Sequence, residues 1–159
     1  SLENRARFLF EVLTAVTQAI GSERVGLRVS PLNSYNSMKD SDPLALIGFL
    51  ADRLNAFKLA YLHVMRADFF GVQKADVMPV AREKFKGVLV GNMGYSADEA
   101  EAAIAEGKLD AVAFGTAFLA NPDLAARIRA KAPLNAPDSN TFYTGGAKGY
   151  TDYPALQVA

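Results

Sequence analysis

Cysteine is absent from the 159-residue sequence and histidine occurs once. The first absence excludes disulfides and thiol nucleophiles, and the two together leave little from which to build a zinc site. An excess of charge of either sign is also lacking: Lys plus Arg and Asp plus Glu both number 17, and there is no long basic run or basic helix face. Nucleic acid and anionic membrane surfaces are therefore not expected as partners. No apolar run approaches the length of a bilayer span, and the opening SLENRARF carries the charges of a surface helix rather than those of a signal peptide. The expected location is cytoplasmic, with which the absence of disulfides is compatible.

What is present is apolar material in an ordered alternation. A hydrophobic content of 50% against 21% charged residues suffices for one domain with a sizeable core. Ser1 is a ready N-cap, and Leu2, Ala6, Leu9, Leu13, Val16 and Ile20 recur at spacings of three and four, so a helix runs from the first residue to Gly21. A helix beginning so abruptly reads as a cut rather than a natural terminus. Val25 to Ser30 reads as a strand, followed by a helix capped by Asp42 with Pro43 in its first turn. The run LAYLHVM, 59 to 65, has the pattern of a buried parallel strand.

A short helix near 79 to 85 precedes a strand at 87 to 90, a helix at 96 to 106 stopped by Gly107, a strand at 110 to 114, a turn at Gly115 and a last helix at about 122 to 131. The order α-β-α-β-α-β-α-β-α predicts a parallel sheet with right-handed crossovers. From Pro133 the composition turns to Asn, Pro, Asp, Ser, Gly and Tyr, which predicts an ordered loop segment over 133–159 held by Phe142, Tyr143, Tyr150 and Tyr153.

Two strand ends share a feature. GNMGYSADE, 91 to 99, leaves a strand through two glycines into a helix start, where Ser96 and Glu99 form a capping box, and AVAFGT leaves the next strand through Gly115 and Thr116. Neighbouring parallel strands that both open into glycine turns can aim several N–H groups at one anion, as the loops after the last two strands of a (β/α)8 barrel do. Glycine and a cap also serve any tight strand-to-helix junction, and on pattern alone both readings stand. In VGLRVS, alternation puts Arg28 on one face with Gly26 and Ser30, near a strand's C-terminal end. It needs either an internal carboxylate or a polar ligand.

ENRARF, RVGLRVSP, LAYLHV, AVAFGTAFLANPDLAARI and TFYTGGAKGYTDYPAL, in this order, carry a specific resemblance over essentially the whole chain. The sequence resembles the old yellow enzyme family of FMN-dependent ene-reductases, in particular its N-ethylmaleimide reductase-like branch. The resemblance implies an α/β fold of (β/α)8 TIM-barrel type, with residues 1–159 forming its C-terminal half, strands five to eight. It implies an enzyme that uses NAD(P)H to reduce FMN and passes hydride to the activated C=C bond of an α,β-unsaturated carbonyl or nitro compound. By position, Arg28 matches the arginine at the pyrimidine edge of the flavin, Met93 and Gly94 match one phosphate loop, and Gly115 with Thr116 matches the other. Tyr143 matches an aromatic of the C-terminal segment beside the flavin.

Two positions depart from the family pattern. Thr116 stands where many members have arginine, which loses a charge-assisted bond, and Met93 stands where glycine is common. The pair that holds the substrate carbonyl and the tyrosine that donates a proton belong to the half this chain lacks, so no catalytic residue is assigned to it. His63, inside an apolar run, reads as a buried histidine with a hydrogen-bond partner. The expected partners are an activated alkene and a complementary N-terminal half-barrel, with self-association as a further expectation because half a barrel leaves sheet edges unpaired. Two other readings stay open: a non-catalytic half-barrel that serves association, and a barrel that handles another phosphate ligand as a lyase or isomerase.

Overall fold

A computed structural model describes Ser1 to Gln157, so the last two positions of the 133–159 segment lie outside the described residues. The chain packs as two units, Ser1–Ala113 and the stretch from Phe114 onward. The first contains helix α1 (Leu2–Ile20), strand β1 (Gly26–Val29), α2 (Pro43–Leu54), β2 (Tyr61–Met65), α3 (Met78–Lys84), β3 (Leu89–Asn92), α4 (Ala97–Ala105) and β4 (Ala111–Ala113). The second contains α5 (Thr116–Ala120) and α6 (Leu124–Ala130) and then mostly irregular chain.

The helix starts follow from the capping residues. Ser1 Oγ accepts the Asn4 N–H, and Asp42 accepts the Ala45 N–H at 2.9 Å ahead of Pro43, satisfying donors that the first turn leaves over. The apolar stripe of α1 is only partly covered: Ala6 and Leu13 are buried, whereas Val16 and Ile20 remain exposed.

The four strands pair in parallel in the order β1-β2-β3-β4. Their register sorts the residues into two faces. Leu27, Leu62 and Leu89 stand in one row, and Val29, Val64, Gly91 and Val112 in another of the same face. This face packs with Ile47, Leu50 and Leu54 of α2, Ala81 of α3 and Phe85 into one core. The opposite face carries the row Arg28, His63, Val90 and Ala111.

β3 runs two residues later than the sequence predicts. Gly91 is a ladder residue rather than the first of a loop, and it is glycine because a Cβ there would come within 2.6 Å of Leu109 Cδ1. Gly26 has a similar cause, its missing Cβ being replaced by the Tyr61 ring. The five-residue α5 begins directly after Gly115, where the sequence predicts only a turn.

The segment from Pro133 is held differently from the prediction. Tyr143 is 99% exposed and Tyr150 is exposed too, so these two aromatics do not hold it; Tyr153 does contribute, its hydroxyl accepting the Asp138 N–H at 2.8 Å. The main tie is Arg127, which is 5% exposed. Its guanidinium bonds to Asp123 at 2.7 Å and donates to the carbonyls of Pro133 at 2.7 Å and Pro154 at 2.8 Å. A planar fork with five donors can serve a carboxylate and two carbonyls at once, which no tyrosine hydroxyl can.

Candidate functional site: the C-terminal edge of the sheet

Parallel strands bring their C-terminal ends to one edge, and in the first unit this edge collects the polar side chains. Arg28 lies on the face opposite the helix-packed core and donates to Asn92 Oδ1 at 3.2 Å, with Met65 Sδ at 3.6 Å. Among the described residues no carboxylate forms an ion pair with it. The internal ion pair that would have satisfied Arg28 is therefore not formed, and its charge stays available. Asn92 in turn donates through Nδ2 to the Ala113 carbonyl at 3.0 Å, linking the end of β3 to the end of β4.

His63 is the register partner of Arg28 on β2. Its Nε2 is buried and has no hydrogen-bond partner among the described residues, contrary to the expectation of a satisfied core histidine. Burial and the neighbouring Arg28 charge hold its pKa below the ordinary histidine value, so it is kept neutral.

The loop after β3 is shaped by an arginine that sequence reasoning did not select. Arg66, immediately after β2, donates from Nε to the Met93 carbonyl at 2.8 Å and from Nη2 to the Gly94 carbonyl at 2.9 Å. Its fork also engages both carboxylate oxygens of Glu99, and the guanidinium lies 3.6 Å from the centre of the Tyr95 ring. The capping box is consequently only half formed. Ser96 Oγ accepts the Glu99 N–H at 3.1 Å, but the Glu99 side chain is drawn to Arg66, a charged partner, and its carboxyl is held below the usual range chiefly by that bond. Met93 adopts φ 87°, in the left-handed region, and Gly94 follows at φ 71°. Among the described residues the N–H groups of Met93, Gly94 and Tyr95 have no acceptor.

The loops after β1 and β2 are tied at the same edge by Asp68, 7% exposed. It accepts the N–H groups of Ser34, Phe70, Val72 and Gln73 at 2.9–3.2 Å, and these bonds, outweighing burial, hold its carboxyl far below the usual range. Neither Asp68 nor Arg66 carries a periodic signal, since both sit in polar loop where any charged residue is unremarkable. Of the residues predicted for a site, the first unit thus brings Arg28, Met93 and Gly94 to one edge. Gly115, Thr116 and Tyr143 belong to the second unit. There Gly115 has an ordinary φ of −94°, and a Cβ added to it would meet nothing within 4 Å, so neither backbone nor packing within the chain requires glycine. No cluster of His or carboxylate side chains suited to a metal ion occurs among the described residues, and no helix there is long and apolar enough to cross a membrane.

Comparison with known proteins shows the family and the fold. The model of the NADH:flavin oxidoreductase / NADH oxidase family matches residues 1–135. A probable flavin mononucleotide-dependent alkene reductase of Leishmania infantum is 57% identical over 157 residues, which cover 98% of this chain and 42% of the relative. The 12-oxophytodienoate reductase 2 of Arabidopsis thaliana is 40% identical over 163 residues, covering 99% and 43%. Among solved structures, the old yellow enzyme from Trypanosoma cruzi matches with a TM-score of 0.96 at 44% identity, over 99% of this chain and 42% of that one. Morphinone reductase in complex with tetrahydroNAD matches with a TM-score of 0.88 at 43% identity, over 99% and 42%. The chain therefore spans less than half the length of the relatives it matches, and its four parallel strands with flanking helices form part of a TIM-barrel fold.

Proposed function

The chain belongs to the NADH:flavin oxidoreductase / NADH oxidase family, and we propose that residues 1–159 are the C-terminal, flavin-holding half of a barrel that reduces activated alkenes with NAD(P)H. The observation that carries this reading is Arg28, a guanidinium without a carboxylate partner on the face of the sheet that the helices do not cover. FMN fits the donors present: an electron-accepting ring is served by that cation, and a phosphate by backbone N–H groups that lack acceptors. When bound, FMN supplies hydride transfer, from the nicotinamide in one half-reaction and to the β-carbon of a carbonyl- or nitro-activated alkene in the other.

The roles of this chain are to bind, orient and polarise. Arg28, held by Asn92, offers positive charge to the ring and so favours its electron-rich form. Met93 and Gly94 of one loop, and Gly115 with Thr116 of the other, offer donors to the phosphate, the Thr116 hydroxyl standing in for a charged group. The open space beside Gly115 supports close approach of a ligand to the backbone. Tyr143, exposed in the chain, offers an apolar surface to the ring. The carbonyl-binding pair and the proton donor are assigned to the rest of the barrel, and no catalytic part is assigned to His63, the register partner of Arg28. The setting is the cytoplasm, and the partners are the activated alkene and the complementary half-barrel.

The test is expression of the chain alone and together with the rest of the barrel taken from the Leishmania infantum relative. The completed barrel is expected to purify with bound flavin and to oxidise NAD(P)H in the presence of an activated alkene. The chain alone is expected to bind FMN weakly and to show no turnover above free flavin, since one wall of the site is open to solvent. Turnover by the chain alone would refute the assignment of the proton donor to the other half. A completed, folded barrel without flavin would refute the reading as a whole and favour an association module.

A further inference from the structure

We propose that Arg66 is the positioning residue of the phosphate-binding loop, fixing the direction in which its backbone N–H groups point. The inference rests on the flavin reading above and adds a residue to it. A trans peptide directs its C=O and N–H to opposite sides. Arg66 takes the Met93 carbonyl at 2.8 Å and the Gly94 carbonyl at 2.9 Å, so the N–H groups of Gly94 and Tyr95, which share those two peptides, both point away from the guanidinium. Two neighbouring donors facing the same way with no acceptor among the described residues are half of an anion cradle.

The same bonds hold Met93 at φ 87°, a conformation that a side-chain-bearing residue adopts only when its surroundings impose it. Arg66 itself is not a phosphate ligand. Four of its five N–H donors are engaged by the two carbonyls and by Glu99, which also offsets its charge. It acts on the anion through the loop. Lysine cannot substitute, because an ammonium lacks the planar fork that reaches two carbonyls and a carboxylate together.

Riboflavin, which has the ring but no phosphate, separates this role from general stability. The completed barrel is titrated with FMN and with riboflavin, and the ratio of the two Kd values is compared between wild type and Arg66→Met. The preference for FMN is expected to fall about tenfold or more, a loss of about 1.4 kcal/mol, while the riboflavin Kd changes little. Adding Met93→Gly to Arg66→Met is expected to recover part of the preference, because glycine takes a positive φ without a clamp. A wild type that does not distinguish FMN from riboflavin would overturn the phosphate site itself. A wild type that does, with an unchanged ratio in Arg66→Met, would overturn the role of Arg66 and leave the site standing. Should Arg66→Met not fold, the same ratio is read in Arg66→Lys, where an undiminished preference has the same consequence.

Discussion

On the helix side of the sheet Leu62, Val64 and Leu89 are completely buried, whereas on the other side the row Arg28, His63, Val90 and Ala111 includes an exposed guanidinium and a histidine nitrogen with no partner. The strands are the same, so the difference lies in what covers them. Helices α2 and α3 supply apolar side chains to one face, and within the first unit nothing equivalent packs on the other. Parallel sheets are stable when both faces are covered. Under the flavin reading proposed above, the remaining contacts of this face come from the rest of the barrel and from the ligand at its C-terminal end.

Removing the largest side chain from the covered face tests the comparison most severely. Phe85, 2% exposed, is the largest of the fully buried side chains, and Phe85→Ala is expected to cost about 3–5 kcal/mol, read from the urea midpoint of the chain. Val90→Ala, on the other face, is expected to cost less than about 1 kcal/mol in the chain alone and more once the rest of the barrel is supplied. Equal costs at the two positions in the chain alone would remove the distinction between the faces.

The charge on the uncovered face comes next. In the completed barrel Arg28→Ala is expected to weaken FMN binding by about 1.5–3 kcal/mol, and Thr116→Ala by about 1 kcal/mol, because a charged donor to the ring is lost in the first and a neutral hydroxyl in the second. Neither substitution is expected to change the stability of the chain, read from its urea midpoint, by more than about 0.5 kcal/mol, since both side chains are exposed. Fluorescence titration with FMN gives the order, and a larger loss at Thr116 would place the dominant electrostatic contact at the phosphate.

The face of Arg28 was legible in the sequence because strand alternation is strict: Leu27 and Val29 face the core, and Arg28 must face away. The caps at Ser1, Asp42 and Ser96 were legible because they depend on neighbours within one turn. What escaped were the features decided by particular side chains and carbonyls distant in sequence. Gly91 has the sequence context of a loop glycine, and only Leu109, 18 positions later, fills the space of its missing side chain. Glu99 read as a reciprocal cap, but Arg66, 33 positions earlier, competes for its carboxylate. The role of Arg127 in holding the last segment depends on the carbonyls of Pro133 and Pro154, and a carbonyl leaves no mark in a sequence. The family resemblance assigned Met93 and Gly94 to the phosphate by position, yet the side chain that shapes their loop lies at another strand's end.

The smallest expected effect concerns His63. Its folded pKa is depressed, first by burial and then by Arg28, so the unfolded chain takes up the proton first as pH falls. Stability contributed by the neutral ring is therefore fully present above the unfolded value of about 6.5 and is lost as pH drops below it toward the folded value. The slope for one proton cannot exceed about 1.4 kcal/mol per pH unit, and the partial exposure of the ring keeps it well below that limit. Urea midpoints between pH 7.5 and 5.5 are expected to decline in wild type, to decline less in Arg28→Ala and to be nearly flat in His63→Gln, with the acidic side chains still ionised over this range. Greater stability at pH 5.5 than at pH 7.5, abolished in His63→Gln, would mean that the protonated ring is the favoured form. The uncovered face would then hold an acidic partner for His63 and would not be the electropositive surface on which the flavin assignment depends.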